Sequence, residues 1–246
     1  MKGIILAGGN GTRLHPLTKV TSKQLLPIYD QPMIYYPLQT LLRGGIHDIL
    51  IIVAPATAGQ FLHFLGSGKE YGAKFTYEIQ DAPNGLPEAF RIGAQFIGND
   101  NVTLILGDNV FEDDFSSHIA SFKSGGRIFV KRVADPSRYG VIEFDGQGKP
   151  KRLVEKPKTF VSNFANVGIY IYDSRVVSIT ESLTPSERGE TEITDIHNWY
   201  LNRGELDVRA IEGAWFDTGT FDSWLEANNF MAEKRRREKK LLENFN

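Results

Sequence analysis

The sequence contains no cysteine. That excludes disulfide bonds, thiolate-bound zinc and a cysteine nucleophile together, and it gives secretion no support. Long apolar runs are missing as well: the longest, Ile49 to Ala54, is stopped by Pro55 well short of a bilayer span. The opening Met1 to Ala7 is shorter than the apolar core of a signal peptide and runs straight into glycines, so it reads as a first strand. Neither sign of charge is in excess. The 28 Lys and Arg against 30 Asp and Glu leave a formal net charge of −2, with no long-range field suited to nucleic acid or an anionic membrane. These absences predict a soluble, cytoplasmic protein whose partners are small molecules or copies of itself.

What is present points to a packed α/β protein. A chain of 246 residues with 41% hydrophobic content is long enough to bury a large core. In the first half, short β-rich runs alternate with segments of helical period, punctuated by glycine, proline and asparagine. The pattern predicts strands over Lys2 to Leu6, Asp48 to Val53, Lys74 to Ile79 and Val102 to Leu106. Helices are expected near Met33 to Leu42, Thr57 to Leu65 and Leu86 to Phe96, the first closed by Gly44-Gly45. After Gly107 the rhythm predicts paired strands over Ile128 to Val133 and Gly140 to Phe144, a turn at Asp145-Gly146 and another strand over Ile169 to Tyr172. A helix over Ile193 to Arg203, a strand over Leu206 to Ile211 and a long helix from Phe221 complete the chain, with Phe221, Trp224, Leu225, Asn228 and Met231 on its docking face. The fold class is therefore α/β: a Rossmann-like, mixed but mainly parallel sheet flanked by helices, with a small antiparallel addition. No linker or internal repeat divides it, so residues 1–246 are expected to form one domain. The run Lys234 to Lys240 is read as the solvated, dipole-opposing end of a terminal helix.

The first strand leads into Leu6-Ala7-Gly8-Gly9-Asn10-Gly11-Thr12-Arg13-Leu14, with Lys23-Gln24-Leu25-Leu26-Pro27 soon after. Glycines let backbone N–H groups approach a bulky anion, and Arg13 and Lys23 add charge suited to phosphates. A structural tight turn uses the same residues. The spacing fits neither a Walker A loop nor the dinucleotide fingerprint, since Leu14 stands where a third glycine is needed. Two aspartates follow β-like runs, one in Gly107-Asp108-Asn109 and one in Trp215-Phe216-Asp217-Thr218-Gly219. Such a pair suits one shared Mg²⁺, although Asp before Gly or Asn is also ordinary turn chemistry. Glu155-Lys156-Pro157, Arg138-Tyr139-Gly140 and Arg188-Gly189-Glu190 carry charge suited to a sugar phosphate, and equally to a solvated surface. The five histidines show no metal-ligand spacing.

Taken together, these segments resemble the sugar nucleotidyltransferase family. The opening is similar to its L-A-G-G-x-G-T-R-L signature, and the likeness continues through Gly107-Asp108-Asn109, Arg138-Tyr139-Gly140-Val141, Glu155-Lys156-Pro157, Arg188 to Asp195 and Trp215 to Gly219. The resemblance implies a nucleotide-diphospho-sugar transferase fold with a nucleotide half over about 1–110, a sugar-phosphate half over about 111–220 and a C-terminal helix over about 221–246. It implies Mg²⁺-dependent transfer from dTTP to glucose 1-phosphate, giving dTDP-glucose and pyrophosphate. By it, Gly8, Gly11, Thr12, Arg13, Lys23 and Gln24 serve the triphosphate, Gln80 and Gly85 the base, and Asp108 and Asp217 the metal. Asn109, Tyr139, Gly140, Glu155, Val167 and Tyr170 would meet the sugar, and Lys156 and Arg188 its phosphate. Arg13, Lys23, Asp108, Lys156 and Asp217 would be the catalytic set. A homodimer or homotetramer is implied too. Asn84 and Phe164-Ala165-Asn166-Val167-Gly168 depart from the family pattern in binding loops. Use of UTP, alone or beside dTTP, therefore stays open, as does a regulatory subunit that binds nucleotide without turnover. Longer members carry a C-terminal segment associated with feedback inhibition, and end-product control is not expected here.

Overall fold

Isoleucine, leucine and valine fill both faces of the early strands, which only a sheet covered on two sides can accommodate. The computed structural model describes residues 1–243. Its strands are β1 (Lys2–Ala7), β2 (Pro27–Ile28), β3 (Gln31–Pro32), β4 (Asp48–Val53), β5 (Lys74–Ile79), β6 (Val102–Leu106), β7 (Asn109–Phe111), β8 (Gly126–Arg132), β9 (Gly140–Phe144), β10 (Pro150–Glu155), β11 (Phe164–Tyr172), β12 (Leu206–Ala210) and β13 (Trp215–Asp217). The α-helices are α1 (Tyr35–Arg43), α2 (Ala58–Leu65), α3 (Glu88–Ile92), α4 (Ala94–Ile97), α5 (Ser116–Ser121), α6 (Val176–Glu181), α7 (Ile193–Leu201) and α8 (Phe221–Glu243).

Nine strands form one sheet in the order β10-β9-β11-β6-β1-β4-β5, with β8 beside β11 and β12 beside β8. Parallel pairing joins β1 to β4 and to β6, so the chain leaves β1 toward one edge and later returns to its other side. The C-terminal ends of β1 and β6 thus form a topological switch point, where open α/β sheets bind ligands. Side-chain alternation divides the core into two layers. Ile5, Ile51 and Ile105 pack with Leu38, Phe61 and Phe115 on one face, while Ile4, Leu50 and Leu104 pack with Phe90, Ile196 and Tyr200 on the other. Each such buried side chain contributes about 1.5–3 kcal/mol.

The four N-terminal strands and the first two helices lie close to where the sequence predicts them. Helix α1 ends as expected at Gly44-Gly45, where Gly45 N–H donates to Leu42 O and Ile46 N–H to Leu41 O. The helix expected over Leu86 to Phe96 is instead two short ones, broken at Gly93 (φ −83°, ψ 5°). A Cβ there would stand 3.1 Å from both Ile4 and Leu50, so the glycine permits close helix-on-sheet packing at the cost of helical continuity. The strands expected to pair over 128–133 and 140–144 do not pair with each other. Ala165 of β11 takes Lys131 of β8 and Val141 of β9 as its two partners, and the hairpin partner of β9 is β10. Asp145 closes that hairpin by accepting from Gln147 N and Lys149 N. The antiparallel part is accordingly larger than expected, and β12 joins it in parallel with β8.

Helix α8 docks through Trp224, Ala227, Asn228 and Met231. Trp224 Nε1 donates to Pro27 O at 2.8 Å and Asn228 Oδ1 accepts from Tyr29 N at 2.8 Å, while Ala227 and Met231 are buried against the segment following β1 and against Val110. Phe221 and Leu225, expected on the same face, are 43% and 59% exposed, because the contact centres on the i, i+3, i+4, i+7 stripe from Trp224. Arg235 pairs with Asp30 at 3.4 Å and Arg237 with Glu233 at 3.2 Å, so carboxylates neutralise part of the basic run. Among the described residues no helix is long and apolar enough to cross a membrane.

His197 of α7 is fully buried against the rings of Tyr170 and Tyr172. Burial pushes its pKa from 6.5 down to about 3, so the folded protein holds it neutral. Between those values the unfolded chain binds the extra proton, and stability falls as pH falls. This one group should contribute a slope of about 1.4 kcal/mol per pH unit below pH 6.5. Urea unfolding of wild type and His197→Leu between pH 7 and 4.5 checks this: the variant should lose less stability on acidification.

Candidate active site

The turn from β6 into β7 puts Asp108 at the switch point, where its carboxylate is almost fully buried. Strand β13 returns from the far end of the chain and pairs antiparallel with β7, with Asp217 opposite Asn109. Thr218 fastens the arrangement, its N–H and Oγ1 both donating to Asp108 O, at 3.0 and 2.6 Å. Two carboxylates distant in sequence thus meet at one corner.

Lys23 reaches that corner from a 3-10 turn over Lys23–Leu25 and forms an ion pair with Asp108 Oδ2. Burial disfavours the charged form of Asp108, but the Lys23 ammonium, with hydrogen bonds from Lys23 and Asn109, outweighs it and holds the pKa below the ordinary value. Among the described residues Asp217 has no such partner. Burial and the charge on Asp108 push its pKa up to about 6, despite Lys23, Arg13 and Arg138 nearby. Arg13 lies against Gly219, where a Cβ would sit 2.5 Å from its Nη2. Asn109 links this corner to the sheet: its Oδ1 accepts from Trp215 Nε1 at 2.6 Å and from Gly168 N at 3.2 Å. Gly168 lies where the β11–β8 register shifts between Asn166 and Tyr170, an irregularity that bends β11 beside the site.

A cavity of about 570 Å³ opens from this corner. One end is lined by Gly9, Arg13, Lys23, Gln24, Gln80, Pro83, Gly85 and Leu86, the other by Tyr139, Gly140, Glu155, Lys156, Asn166 and Tyr170, with Asp108, Asn109, Trp215 and Asp217 between. The volume and mixed lining suit small-molecule substrates. Glu155 Oε2 and Asn166 Oδ1 are buried and have no hydrogen-bond partner among the described residues. Lys156 adopts φ 40°, held by its N–H to Tyr139 O at 2.9 Å. Such left-handed strain at a non-glycine residue costs about 1–3 kcal/mol and gathers at functional sites.

Residues 2–234 match the family described as nucleotidyl transferase. The chain belongs to that family. It is 53% identical over 236 residues to a glucose-1-phosphate thymidylyltransferase of Mycolicibacterium smegmatis, covering 94% of this chain and 82% of that one. A protein of the same name from Mycobacterium tuberculosis is 50% identical over 243 residues, covering 97% and 84%. Among solved structures, a putative glucose-1-phosphate thymidylyltransferase from Bacillus anthracis, in complex with a sucrose, superposes with a TM-score of 0.89 at 46% identity, covering 94% of each chain. A UDP-glucose pyrophosphorylase complexed with UDP-glucose superposes with a TM-score of 0.84 at 25% identity, covering 95% of this chain and 98% of that one.

As a nucleotidyl transferase, the chain gathers most of its sequence-predicted site residues on one cavity: Arg13, Lys23, Gln24, Gln80, Gly85, Asp108, Asn109, Tyr139, Gly140, Glu155, Lys156, Tyr170 and Asp217. Gly8, Gly11 and Thr12 lie on the turn beside it and are not part of its lining. Val167 is not brought in by its side chain, which is fully buried in the core layer away from the cavity, leaving only its backbone for a ligand. Arg188 is also outside the lining, its guanidinium held by Glu190 and Glu192 at 3.2 Å and Glu155 at 3.8 Å. The structure adds Arg138, Asn166, Gly168, Glu192 and Trp215 to the lining. All five stand inside segments that carry the family resemblance or depart from it, but spacing alone does not say which side chains turn inward.

The raised pKa of Asp217 has a testable consequence. The folded, metal-free protein favours the protonated form, so its stability falls as pH rises from about 4 through 6. An asparagine cannot ionise. Asp217→Asn should therefore stabilise the metal-free protein by up to about 3 kcal/mol at pH 8 and by little at pH 4, as read from paired melting curves.

Proposed function

We propose that the chain is a glucose-1-phosphate thymidylyltransferase, joining dTTP to glucose 1-phosphate and releasing pyrophosphate in nucleotide-sugar synthesis. The observation that carries this reading is a single cavity that joins a glycine-rich, cation-bearing phosphate loop to a sugar-sized polar end across two acidic residues. The names of the relatives support the same substrates.

Asp108 and Asp217 fit a hard divalent ion, which we propose is Mg²⁺. Among the described residues no cluster of three or more His, Cys, Asp or Glu is poised for a metal, and two carboxylates suit an ion that completes its shell with substrate phosphates and water. When bound, the ion neutralises phosphate charge at the reacting end of the nucleotide. A phosphate oxygen of glucose 1-phosphate attacks the α-phosphorus, and the bond from that phosphorus to the bridging oxygen of the β-phosphate breaks. The nucleophile is already ionised at neutral pH, so no side chain has to remove a proton. The task is to hold two polyanions together against their repulsion. Arg13 and Lys23 supply positive charge at the nucleotide end, Lys156 and Arg188 at the sugar-phosphate end. Glu155 and Asn109, with the backbone at Gly140 and Val167, would orient the sugar between the rings of Tyr139 and Tyr170.

The reading includes one domain, with the nucleotide half about 1–110, the sugar-phosphate half about 111–220 and the terminal helix from about 221; the end of that expected range, 244–246, lies outside the described residues. The continuous nine-stranded sheet supports it. We place the enzyme in the cytoplasm as a homodimer or homotetramer.

The test is pyrophosphate release with glucose 1-phosphate and Mg²⁺, supplying dTTP, UTP, CTP, ATP and GTP in parallel. Release should be fastest with dTTP and be abolished by a chelator. Arg13→Ala or Lys23→Ala should slow it by roughly 10² to 10³, and Asp108→Asn should remove it. Binding of dTTP without release from any triphosphate would overturn the assignment.

A further inference from the structure

Glu88 begins α3 and is not part of the cavity lining, yet its carboxylate touches Gln80, which with Gln24 supplies the carboxamides at the nucleotide end of the cavity. Gln80 follows β5 at the C-terminal edge of the parallel sheet and is buried, its Nε2 donating to Glu88 Oε2 at 2.8 Å. Asn84 donates to the same carboxylate, through Nδ2 to Oε1 at 2.8 Å and through its backbone N–H to Oε2 at 3.3 Å. A carboxylate offers only lone pairs, so it admits one orientation of the Gln80 amide: NH₂ toward Glu88, carbonyl oxygen away. The oxygen lies over Gly8, where any Cβ would collide with it, and it has no partner within the protein among the described residues. Pro83, Gly85 and Leu86 add a largely apolar wall to the same cavity.

We propose that Glu88 is a positioning residue for base selection: by locking the Gln80 amide, it makes the cavity accept bases that present a ring N–H and reject those that present a ring-nitrogen lone pair there. Thymine and uracil carry N3–H, which donates to Gln80 Oε1. Cytosine carries an acceptor at N3 and an amino group at C4, a pattern that suits the amide only after it turns over. Turning it would set the carbonyl oxygen against the Glu88 carboxylate and leave a buried acceptor unpaired, a cost that falls on cytosine alone. The loop carrying this wall is itself anchored. Asn84 O accepts from Thr191 N at 2.9 Å and from Thr191 Oγ1 at 3.1 Å, and Gly85, at φ 112°, lies so close to Thr191 that a side chain there would collide with its carbonyl oxygen.

This inference rests on the nucleotide end of the cavity assigned above, and it is tested by binding, apart from turnover. Affinities for dTTP, UTP and CTP are measured by titration calorimetry with Mg²⁺ for wild type, Glu88→Gln, Glu88→Ala, Gln80→Ala and the Gln80→Ala/Glu88→Ala pair. Wild type should bind dTTP and UTP well ahead of CTP. Both Glu88 variants should shrink the dTTP-to-CTP ratio by roughly tenfold or more and leave the dTTP-to-UTP ratio unmoved. In the Gln80→Ala background, removing Glu88 should change neither ratio. A residue that merely supports the fold would weaken all three nucleotides alike, and an unchanged dTTP-to-CTP ratio in Glu88→Gln would overturn the proposal. If wild type prefers dTTP in binding but releases no pyrophosphate, the proposed reaction fails and this inference stands. If it turns over dTTP but binds CTP equally well, the reverse holds.

Discussion

The site depends on placing two carboxylates in one poorly hydrated corner with a lysine that neutralises only one of them. Lys23 pairs with Asp108, whose charge becomes favourable, and the same charge with burial makes ionised Asp217 costly. Such an arrangement would not persist unless the backbone imposed it. The β7–β13 pairing and the two hydrogen bonds from Thr218 to Asp108 O do so, by main-chain geometry that the titration of the side chains does not alter. The unpaired charge is a local loss of stability that positive charge brought to this corner would reverse.

Around that corner the sheet supplies rigidity and the loops supply chemistry. Strands β1, β4 and β6 are held by apolar packing on both faces, so the turns leaving β1 and β6 start from fixed positions. Strand β11 spans the whole arrangement, since Tyr170 pairs with both Leu104 and Ile128 while Ala165, further along, reaches Val141. Its irregularity at Asn166 to Tyr170 brings Gly168 against Asn109. The same strand therefore serves the core through Val167 and the cavity through Asn166 and Tyr170. The two ends of the cavity are also tied together, because Asn84, between the lining residues Pro83 and Gly85 of one end, is bonded to Thr191, next to Glu190 and Glu192 of the lining. A displacement of one loop would move the other.

Much of this was legible in the sequence. The continuous apolar runs Asp48 to Val53 and Val102 to Leu106 mark buried parallel strands because run length, β-rich composition and flanking breakers are local properties. The glycine-rich turn with Arg13 and Lys23, and the aspartates at the ends of apolar runs, were visible for the same reason, and the family resemblance supplied their common context. A lone glycine does not by itself end a helix, so the break at Gly93 was not visible; it answers close contact with Ile4 and Leu50. Nor was the placing of β8 and β9 along one long β11, because pairing partners are chosen by the whole sheet.

The sequence by itself determined the elements, the α/β class and which residue types were on hand for phosphate, sugar and metal chemistry. Only the tertiary structure decided that Asp217 stands beside Asp108, that Val167 turns to the core while Asn166 and Trp215 turn to the cavity, and that Glu88 fixes the Gln80 amide. The physical reason is range. Propensity and periodicity act over a few residues, whereas electrostatic coupling, burial and amide orientation depend on groups that meet only after the chain has crossed its own sheet.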